Sequence, residues 1–492
     1  MRLFLVRLAP ELTIKSRRTR RRFQRRLVRN MEDALASGGF DGSVEERWHR
    51  IMVTASVPEA GPHLARIFGV SSVSPVDAVV AADLDAIVAA GSDLYAERVR
   101  GKRYAVKARR TGRHGFSSQD VRVRLGAALN AGAIVDLDDP EVTVSVEVRD
   151  HEAFLYSERI PGAGGLPVGT QGTAVCLISG GYDSAAAAWL MLKRGVSLEY
   201  VFCNLAGLSY ERSVALVTRV LAEGWSHGYH PKLHVVDFQG VIEDLRANVT
   251  PRYWQVVLKR LMYRAAEGVA GNVDGEAIVT GESLGQVSSQ TLGNLRAIDD
   301  AATLPVFRPL LGLDKNEIIA IAERAGTAAL SARIREYCDL LAERPGTHAR
   351  PAAARDEASR VDMAALDAAV RGRRVLDLRR MRARELVDDY VFLDAVPEDA
   401  TVLDCRPAHH HRVWHYPGAE RWDPGELLLH LGDLDKERTF VLYCDQGVQT
   451  AHAAELMQRV GYDAYSFRGG TRAIRRYHER AAGPPEAPAN TT

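Results

Sequence analysis

The chain has 492 residues, 46% of them hydrophobic and 26% charged, with a formal net charge of +1. That is enough apolar sequence for several buried cores, so three or more domains are expected, while the near-zero charge excludes nucleic-acid binding through an overall basic field and leaves that role to local patches. No run of about 18 apolar residues occurs, and no basic start joins an apolar segment and cleavage site, so the expectation is a soluble, cytoplasmic protein without membrane partners.

The opening segment LFLVRLAPELTIKS alternates like a strand, and Ser16 to Asn30 then carry eight arginines at helical spacing, with Phe23 and Leu27 four apart. This is a basic helix with one apolar stripe. By itself it is either a solvated face or a phosphate-binding surface whose candidate contacts are Arg17, Arg18, Arg21 and Arg25. A second patch, Arg103 to Asn130, puts Lys107, Arg109 and Arg110 on a strand and Arg113 in a Gly-bearing turn, ahead of Ser117 or Ser118 as a helix cap. The strand EVTVSVEVRD follows, and a Gly- and Pro-rich stretch marks a domain boundary near Pro161 to Thr173.

From Ala174 apolar strands alternate with helices through AVCLISGG, LEYVFCNL, LHVVDF and EAIVTGE, which predicts a parallel sheet covered on both faces. After about Glu343 the chain is polar and Ala/Arg-rich through Val370, without strong strand signals. A third strand-and-helix module starts near Ala395, with TVLDCR, TFVLYC and AYSFRGG as its strands, and no internal repeat is visible.

The first strand of the middle domain runs through Leu177 and Ile178 into Ser179-Gly180-Gly181-Tyr182-Asp183-Ser184 and straight into a helix. Backbone amides and a positive helix end meet there, a cradle for phosphate. The turn lacks the lysine of GxxxxGK[ST] and the spacing of GxGxxG. SGGYDS instead resembles the pyrophosphate loop of the PP-loop ATPases, which split ATP to AMP and pyrophosphate. That resemblance implies that Asp183 positions Mg²⁺ or pyrophosphate, that Ser179 and Ser184 donate to phosphate oxygens, and that Leu177 and Ile178 meet the nucleotide through their backbone.

Lys259 and Arg260 interrupt the apolar face of the helix QVVLKRLMYRAA, where a cation at a buried edge is costly without a partner. The loop TGESLGQVSSQT closes another parallel strand at the end where open α/β sheets bind ligands; Gly281 permits close backbone approach and the Gln290 amide could read a nucleotide edge or phosphate. Lys315, in RPLLGLDKNEI, either stabilises the phosphorus centre or leaving pyrophosphate of an adenylation, or simply ends a helix.

Five cysteines (Cys176, Cys203, Cys338, Cys405 and Cys444) are odd in number, widely spaced and never arranged as CxxC. This argues against a disulfide scaffold and a zinc or iron–sulfur site, and favours catalytic or redox chemistry for any reactive thiol. Cys444 lies between the strand TFVLY and an Ala-rich helix, a position expected to depress a thiol pKa and to stabilise thiolate and persulfide alike. In LDCRP, which resembles the LDxR pattern of rhodanese domains, Cys405 takes the variable position, and the resemblance implies an inert strand residue facing the core. The run His409, His410, His411 reads as a solvated loop, and no metal is assigned to it.

Along nearly its whole length the chain resembles the rhodanese-containing tRNA uridine 4-sulfurtransferases, the ThiI family. The resembling segments are SGGYDS, LKRLMYRAA, TGESLGQVSSQTLGNL, RPLLGLDKNEI and EYC, while CxxGxx[ST] between LDCRP and FRGG resembles a rhodanese domain. The implied fold is multidomain α/β: a ferredoxin-like domain at 1–54, a THUMP RNA-binding domain at 55–160, a linker at 161–173, a PP-loop parallel-sheet domain at 174–343, a linker region at 344–394, a rhodanese domain at 395–480 and a tail at 481–492. The resemblance implies ATP and Mg²⁺ as cofactors, tRNA docked through its acceptor end, and adenylation of uridine 8 at O4. Sulfur then comes from a Cys444 persulfide, and Cys338 closes a Cys338–Cys444 disulfide that an external reductant reopens. A cysteine desulfurase as sulfur donor, a thiazole sulfur carrier protein in thiamin synthesis as a second acceptor, and a homodimer are further implications. The alternatives are a persulfide carrier serving only thiazole synthesis, and a PP-loop ligase, which leaves the rhodanese module unexplained.

Overall fold

Proline decides where the first strand stops. Strand Arg2–Leu8 ends two residues before Pro10, which sits in the first turn of the short helix Pro10–Thr13, so the strand-like pattern to Ser16 is broken by a residue that donates no backbone N–H to a ladder. Helix Arg17–Ser37 follows, with the Ser16 hydroxyl accepting from the Thr19 amide at 3.4 Å. Its apolar stripe of Phe23, Leu27, Met31 and Ala34 is buried. The computed structural model describes residues 1–47, 50–205, 208–332, 346–381, 391–423, 426–427, 430–445 and 447–481. They fall into two units, Met1–Thr170 with Lys193–Gly195, and Gln171–Leu192 with Val196 onward.

The first unit holds two sheets. One is antiparallel, in the order Ile160–Pro161, Val70–Pro75, Arg2–Leu8, Arg50–Ala55 and Gly42–Arg47. The expected domain end at residue 54 therefore falls inside this sheet: Val70–Pro75 pairs with the first strand, and Ile160–Pro161 returns to the edge after the second sheet is complete. Alternation looks the same in either sheet, and only pairing assigns a strand. The second sheet runs Ala78–Ala81, Glu152–Tyr156, Val142–Arg149, Arg103–Thr111 and Ile134–Val135, covered by helices Leu84–Val99 and Ser118–Leu129. Ser117 caps the latter in a capping box with Asp120. Between the sheets Glu147 is buried and meets Arg7, Arg50 and Arg149.

The second unit begins with a six-stranded sheet ordered Val306–Phe307, Ile278–Val279, Thr173–Leu177, Ser197–Asn204, Lys232–Asp237 and Arg374–Asp377. The first five are parallel and Ser197–Asn204 is buried at seven of its eight positions, as both-face covering requires. The sixth corrects the expectation of a linker at 344–394. Helices Pro351–Ala358 and Met363–Arg371 pack Ala354, Leu366 and Val370 into the core around helix Trp254–Ala270, and Arg374–Asp377 adds an antiparallel edge strand. A four-residue edge strand with no buried position carries no apolar alternation to read. The C-terminal sheet is parallel throughout, in the order Phe392–Leu393, Asp463–Phe467, Thr439–Tyr443, Thr401–Asp404 and Glu420–Arg421. It thus starts just ahead of residue 395.

Candidate active site

The middle sheet changes direction of growth at Thr173–Leu177: the next two strands add on one side, and Ile278–Val279 and Val306–Phe307 on the other. Crevices for ligands open beyond the carboxyl ends of strands at such a switch point. Here a cleft is lined by Leu177, Ile178, Ser179, Asp183, Ser184, Lys259, Gly281 and Gln290. Phe202, Cys203 and Met262 add an apolar wall that the motifs did not reveal. Gly180 and Gly181 form the turn without lining the cleft.

The turn is held by its own groups. Gly180 has φ +79°, a left-handed conformation that favours glycine, and its carbonyl accepts from the Ser331 hydroxyl at 2.8 Å. The Ser184 hydroxyl accepts from the Ser179 amide and donates to the Gly181 carbonyl, both at 3.2 Å, so it is engaged within the loop. Tyr210 donates its hydroxyl to the Ser179 carbonyl at 2.9 Å. A Cβ on Gly281 would stand 2.5 Å from the Ser184 nitrogen and 2.6 Å from the Asp183 carbonyl carbon, so only glycine lets the two strand-end loops meet.

Asp183 opens helix Tyr182–Lys193 and accepts from Lys315 Nζ at 2.7 Å through Oδ1 and from Gln286 Nε2 at 2.6 Å through Oδ2. Lys315 is the first residue of helix Lys315–Ala325, fixed by the Asp314–Glu317 capping box, and its ammonium also faces the Tyr182 ring. The lysine thus reaches the phosphate turn. Gln290 is buried, and its side-chain oxygen accepts from the Ser283 amide at 3.3 Å.

The two helix cations have carboxylate partners. Arg260 pairs with Asp300 at 3.2 Å, and Lys259 stands 3.7 Å from Glu282 Oε1. Glu282, absent from the motif-based set, is 2% exposed, and its Oε2 accepts from Tyr263 at 2.7 Å, Thr280 at 3.0 Å and Arg308 at 2.7 Å. Burial drives this carboxyl upward, but Lys259, Arg308 and the Tyr263 hydroxyl outweigh burial and hold it below the usual glutamate range. A carboxylate one residue after a strand-end glycine was the available signal.

In the C-terminal module Cys444 follows strand Thr439–Tyr443, is buried, and places Sγ 3.5 Å from the Thr450 hydroxyl. Gly447, at φ +77°, precedes helix Val448–Arg459. The loop closes against Gly470, where a Cβ would come within 2.5 Å of the Cys444 carbonyl, and the Thr471 amide donates to that carbonyl at 3.0 Å. Below it Asp404 accepts from Arg406 Nε at 2.8 Å and from the Tyr443 hydroxyl at 2.7 Å. The three histidines are not in a solvated loop. They occupy helix Ala408–Val413, where His411 meets Asp404 at 2.9 Å and His410 meets Asp445 at 3.0 Å, because carboxylates from two strand ends face this short helix. Cys405 is buried, and burial pushes its thiol well up, the condition of an inert side chain. Cys338 lies outside the described residues. Among the described residues no group of His, Cys, Asp or Glu is arranged to hold a metal ion, and no helix is long and apolar enough to cross a membrane.

On the first unit Arg17, Arg18, Arg21 and Arg25 are exposed along one helix, whereas Arg26 turns inward to donate to the Val168 carbonyl at 2.8 Å. Lys107, Arg109 and Arg113 are also exposed; Arg110 is half-buried and donates to the Gly112 carbonyl at 2.9 Å.

Family models match the chain in order: the ThiI ferredoxin-like domain at residues 3–74, the THUMP domain at 81–158, the thiamine biosynthesis protein ThiI at 169–363 and the rhodanese-like domain at 391–476. A tRNA sulfurtransferase of Pyrobaculum aerophilum is 36% identical over 94% of this chain and 96% of its own length, and one of Proteus mirabilis is 35% identical over 94% and 98%. Among solved structures, a 4-thiouridine synthetase in complex with RNA and bound ATP matches 76% of this chain and 99% of its own, at 30% identity and a TM-score of 0.68. With ferredoxin-like, THUMP, PP-loop and rhodanese domains in sequence and this identity over almost the full length, the chain belongs to the tRNA sulfurtransferase family.

Proposed function

We propose that this enzyme uses ATP to activate a uridine of tRNA, with position 8 the expected site, and replaces its O4 by sulfur carried on Cys444, giving 4-thiouridine. The observation that carries the proposal is the presence in one chain of a phosphate turn whose Asp183 is paired to Lys315 and a cysteine loop of rhodanese type. The likeness to an ATP- and RNA-bound 4-thiouridine synthetase supports it.

In this mechanism O4 attacks the α-phosphorus of ATP and pyrophosphate leaves, with the turn amides and Lys315 taking up the developing charge. One carboxylate plus substrate phosphates is a usual setting for Mg²⁺, so Asp183, whose oxygens now accept from Lys315 and Gln286, would hold an ion brought by the nucleotide, which would supply neutralising charge to the pyrophosphate. Leu177, Ile178, Lys259, Gly281 and Gln290 bind the nucleotide. The terminal sulfur of the Cys444 persulfide attacks C4 and AMP departs. The Cys338 thiolate then attacks Cys444 Sγ, forming the Cys338–Cys444 disulfide and releasing the thiocarbonyl, and an external dithiol restores both thiols. A cysteine desulfurase reloads Cys444, tRNA is held by the two arginine-rich patches, and the enzyme works in the cytoplasm as a homodimer.

The test is thiouridine in tRNA, read by retardation on an organomercury gel after incubation with ATP, Mg²⁺ and a persulfide source. Wild type is expected to shift the tRNA, and Cys444→Ala, Cys338→Ala and Asp183→Ala are not; a wild type that takes up persulfide yet leaves tRNA unshifted sinks the proposal. The family description as a thiamine biosynthesis protein favours a second output, sulfur supply to a thiazole sulfur carrier. That transfer needs Cys444 and is expected to survive Asp183→Ala.

A further inference from the structure

The last helix, Gly470–Ala481, carries a charge pattern that the sulfur chemistry leaves unused. Arg472, Arg476 and Arg480 recur every four residues, so they form one stripe along a single helix face, and all three are exposed. Packing on the other side fixes that face outward. Ile474 is fully buried, and Ala473 and Tyr477 pack with it against Val402, Val441 and Phe467. Among the described residues none of the three arginines has a carboxylate partner, whereas Arg475 is paired to Glu479 at 3.1 Å. Like charges four apart on a helix repel one another, so the stripe weakens the helix that bears it. Nor does it belong to a generally basic surface: residues 391–469 of the same module hold 7 Lys or Arg against 13 Asp or Glu, so positive charge is gathered here against the local trend.

The helix also begins at the reactive loop. The Thr471 amide donates to the Cys444 carbonyl at 3.0 Å and Arg472 is the next residue, so the stripe starts beside the Cys444 loop and extends for about 12 Å along the helix axis. From this we infer that the outer face of this helix is a docking surface for the sugar–phosphate backbone of tRNA, which steers the substrate to Cys444 for sulfur transfer. Guanidinium groups pair with phosphate in a planar, bidentate way, and a polyanion relieves the repulsion within the stripe. A protein partner fits this face less well, because it exposes no large apolar side chain to serve as a desolvated anchor at an interface core. Backbone contacts carry no sequence information, so the surface orients tRNA and leaves the choice of uridine to the adenylation site. The inference rests on Cys444 delivering its sulfur to tRNA.

The test is a full-length triple variant, Arg472→Glu, Arg476→Glu and Arg480→Glu, with melting curves as the control for folding. It is read by loading of Cys444 from glutathione persulfide, by pyrophosphate release at saturating tRNA, and by single-turnover thiouridine formation from preloaded enzyme at several salt concentrations. Loading and pyrophosphate release are expected within about twofold of wild type, since neither uses this face. Thiouridine formation is expected to slow roughly tenfold, and the slope of log rate against log salt to fall by about 2, near 0.7 per lost phosphate contact. The triple change to lysine, which keeps the charge, is expected to recover most of the rate. An unchanged transfer rate and salt slope overturn the inference. So does a variant that transfers normally once loaded yet no longer accepts sulfur from a desulfurase, which would make the helix a protein-docking face. Should the glutamate variant not fold, the triple change to glutamine replaces it under the same criteria. A wild type that takes up persulfide but forms no thiouridine removes transfer from Cys444 to tRNA itself, whereas wild-type transfer indifferent to the helix removes only the role given to the arginine stripe.

Discussion

At the phosphate turn, the Asp183 carboxylate is the acceptor on which Lys315 and Gln286 converge. Asp183→Asn keeps the shape and removes the charge, so tRNA-dependent pyrophosphate release is expected to drop by about 100-fold or more in a protein that melts like wild type; activity within a few-fold of wild type would count against a role in the reaction. Gly281→Ala is different in kind. Its new methyl group meets backbone rather than a movable side chain, so one loop must shift, at a cost of about 1–3 kcal/mol, with ATP binding lost alongside. A melting temperature and an ATP titration on the same sample check both effects. Gly470 stands in the same relation to the Cys444 loop, with φ +63° adding strain to the clash.

At the scale of elements, what matters is which face a helix turns outward. Helix Arg17–Ser37 buries Phe23, Leu27 and Met31 and exposes Arg17, Arg18, Arg21 and Arg25, so its basic face is available without any rearrangement. If these arginines meet tRNA phosphates, the triple change Arg17→Glu, Arg21→Glu, Arg25→Glu weakens tRNA binding and lowers the slope of log K against log salt by roughly 2 to 3, near 0.7–0.9 per lost contact. Filter binding at several salt concentrations measures this, and a slope unchanged from wild type would remove the helix from the interface. Loss of the Ser16 cap by Ser16→Ala costs about 1 kcal/mol of stability without altering the salt slope, which separates a folding effect from a binding one.

Over the whole molecule, buried carboxylates held by cations set the response to acid. Burial pushes Glu147, Glu282 and Asp404 upward, but the arginines, lysine and hydroxyls around each outweigh burial and leave all three below the ordinary carboxylate range. A group depressed in the folded state binds its proton more readily when unfolded, so its stabilisation is full above about pH 4.3 and fades as pH falls toward the folded value. Stability measured by urea titration is therefore expected to be flat near neutral pH and to decline below about pH 4.5, in both units, since Glu147 lies in the first and the other two in the second. Glu282→Gln is expected to lower stability at neutral pH and to flatten the acid limb of the second unit. A wild-type profile level down to pH 3 would contradict this.

Local features were legible in the sequence alone: the SGGYDS turn, the Cys444 loop, the cap before helix Ser118–Leu129 and the apolar strands of the parallel sheet. Each is encoded within a few neighbouring residues, by glycine's freedom at φ +79°, by a side chain reaching an amide three residues on, or by unbroken apolar runs. Tertiary structure alone decided membership and partnership. Val70–Pro75 belongs to the first sheet, Arg374–Asp377 to the middle one, and His410 and His411 to a helix against Asp445 and Asp404, none of which local pattern distinguishes. Lys259 and Glu282 are 23 positions apart, and Asp183 and Lys315 132 apart; they meet because strands and helices are stacked by a hydrophobic effect that has no direction of its own and takes its geometry from the fold.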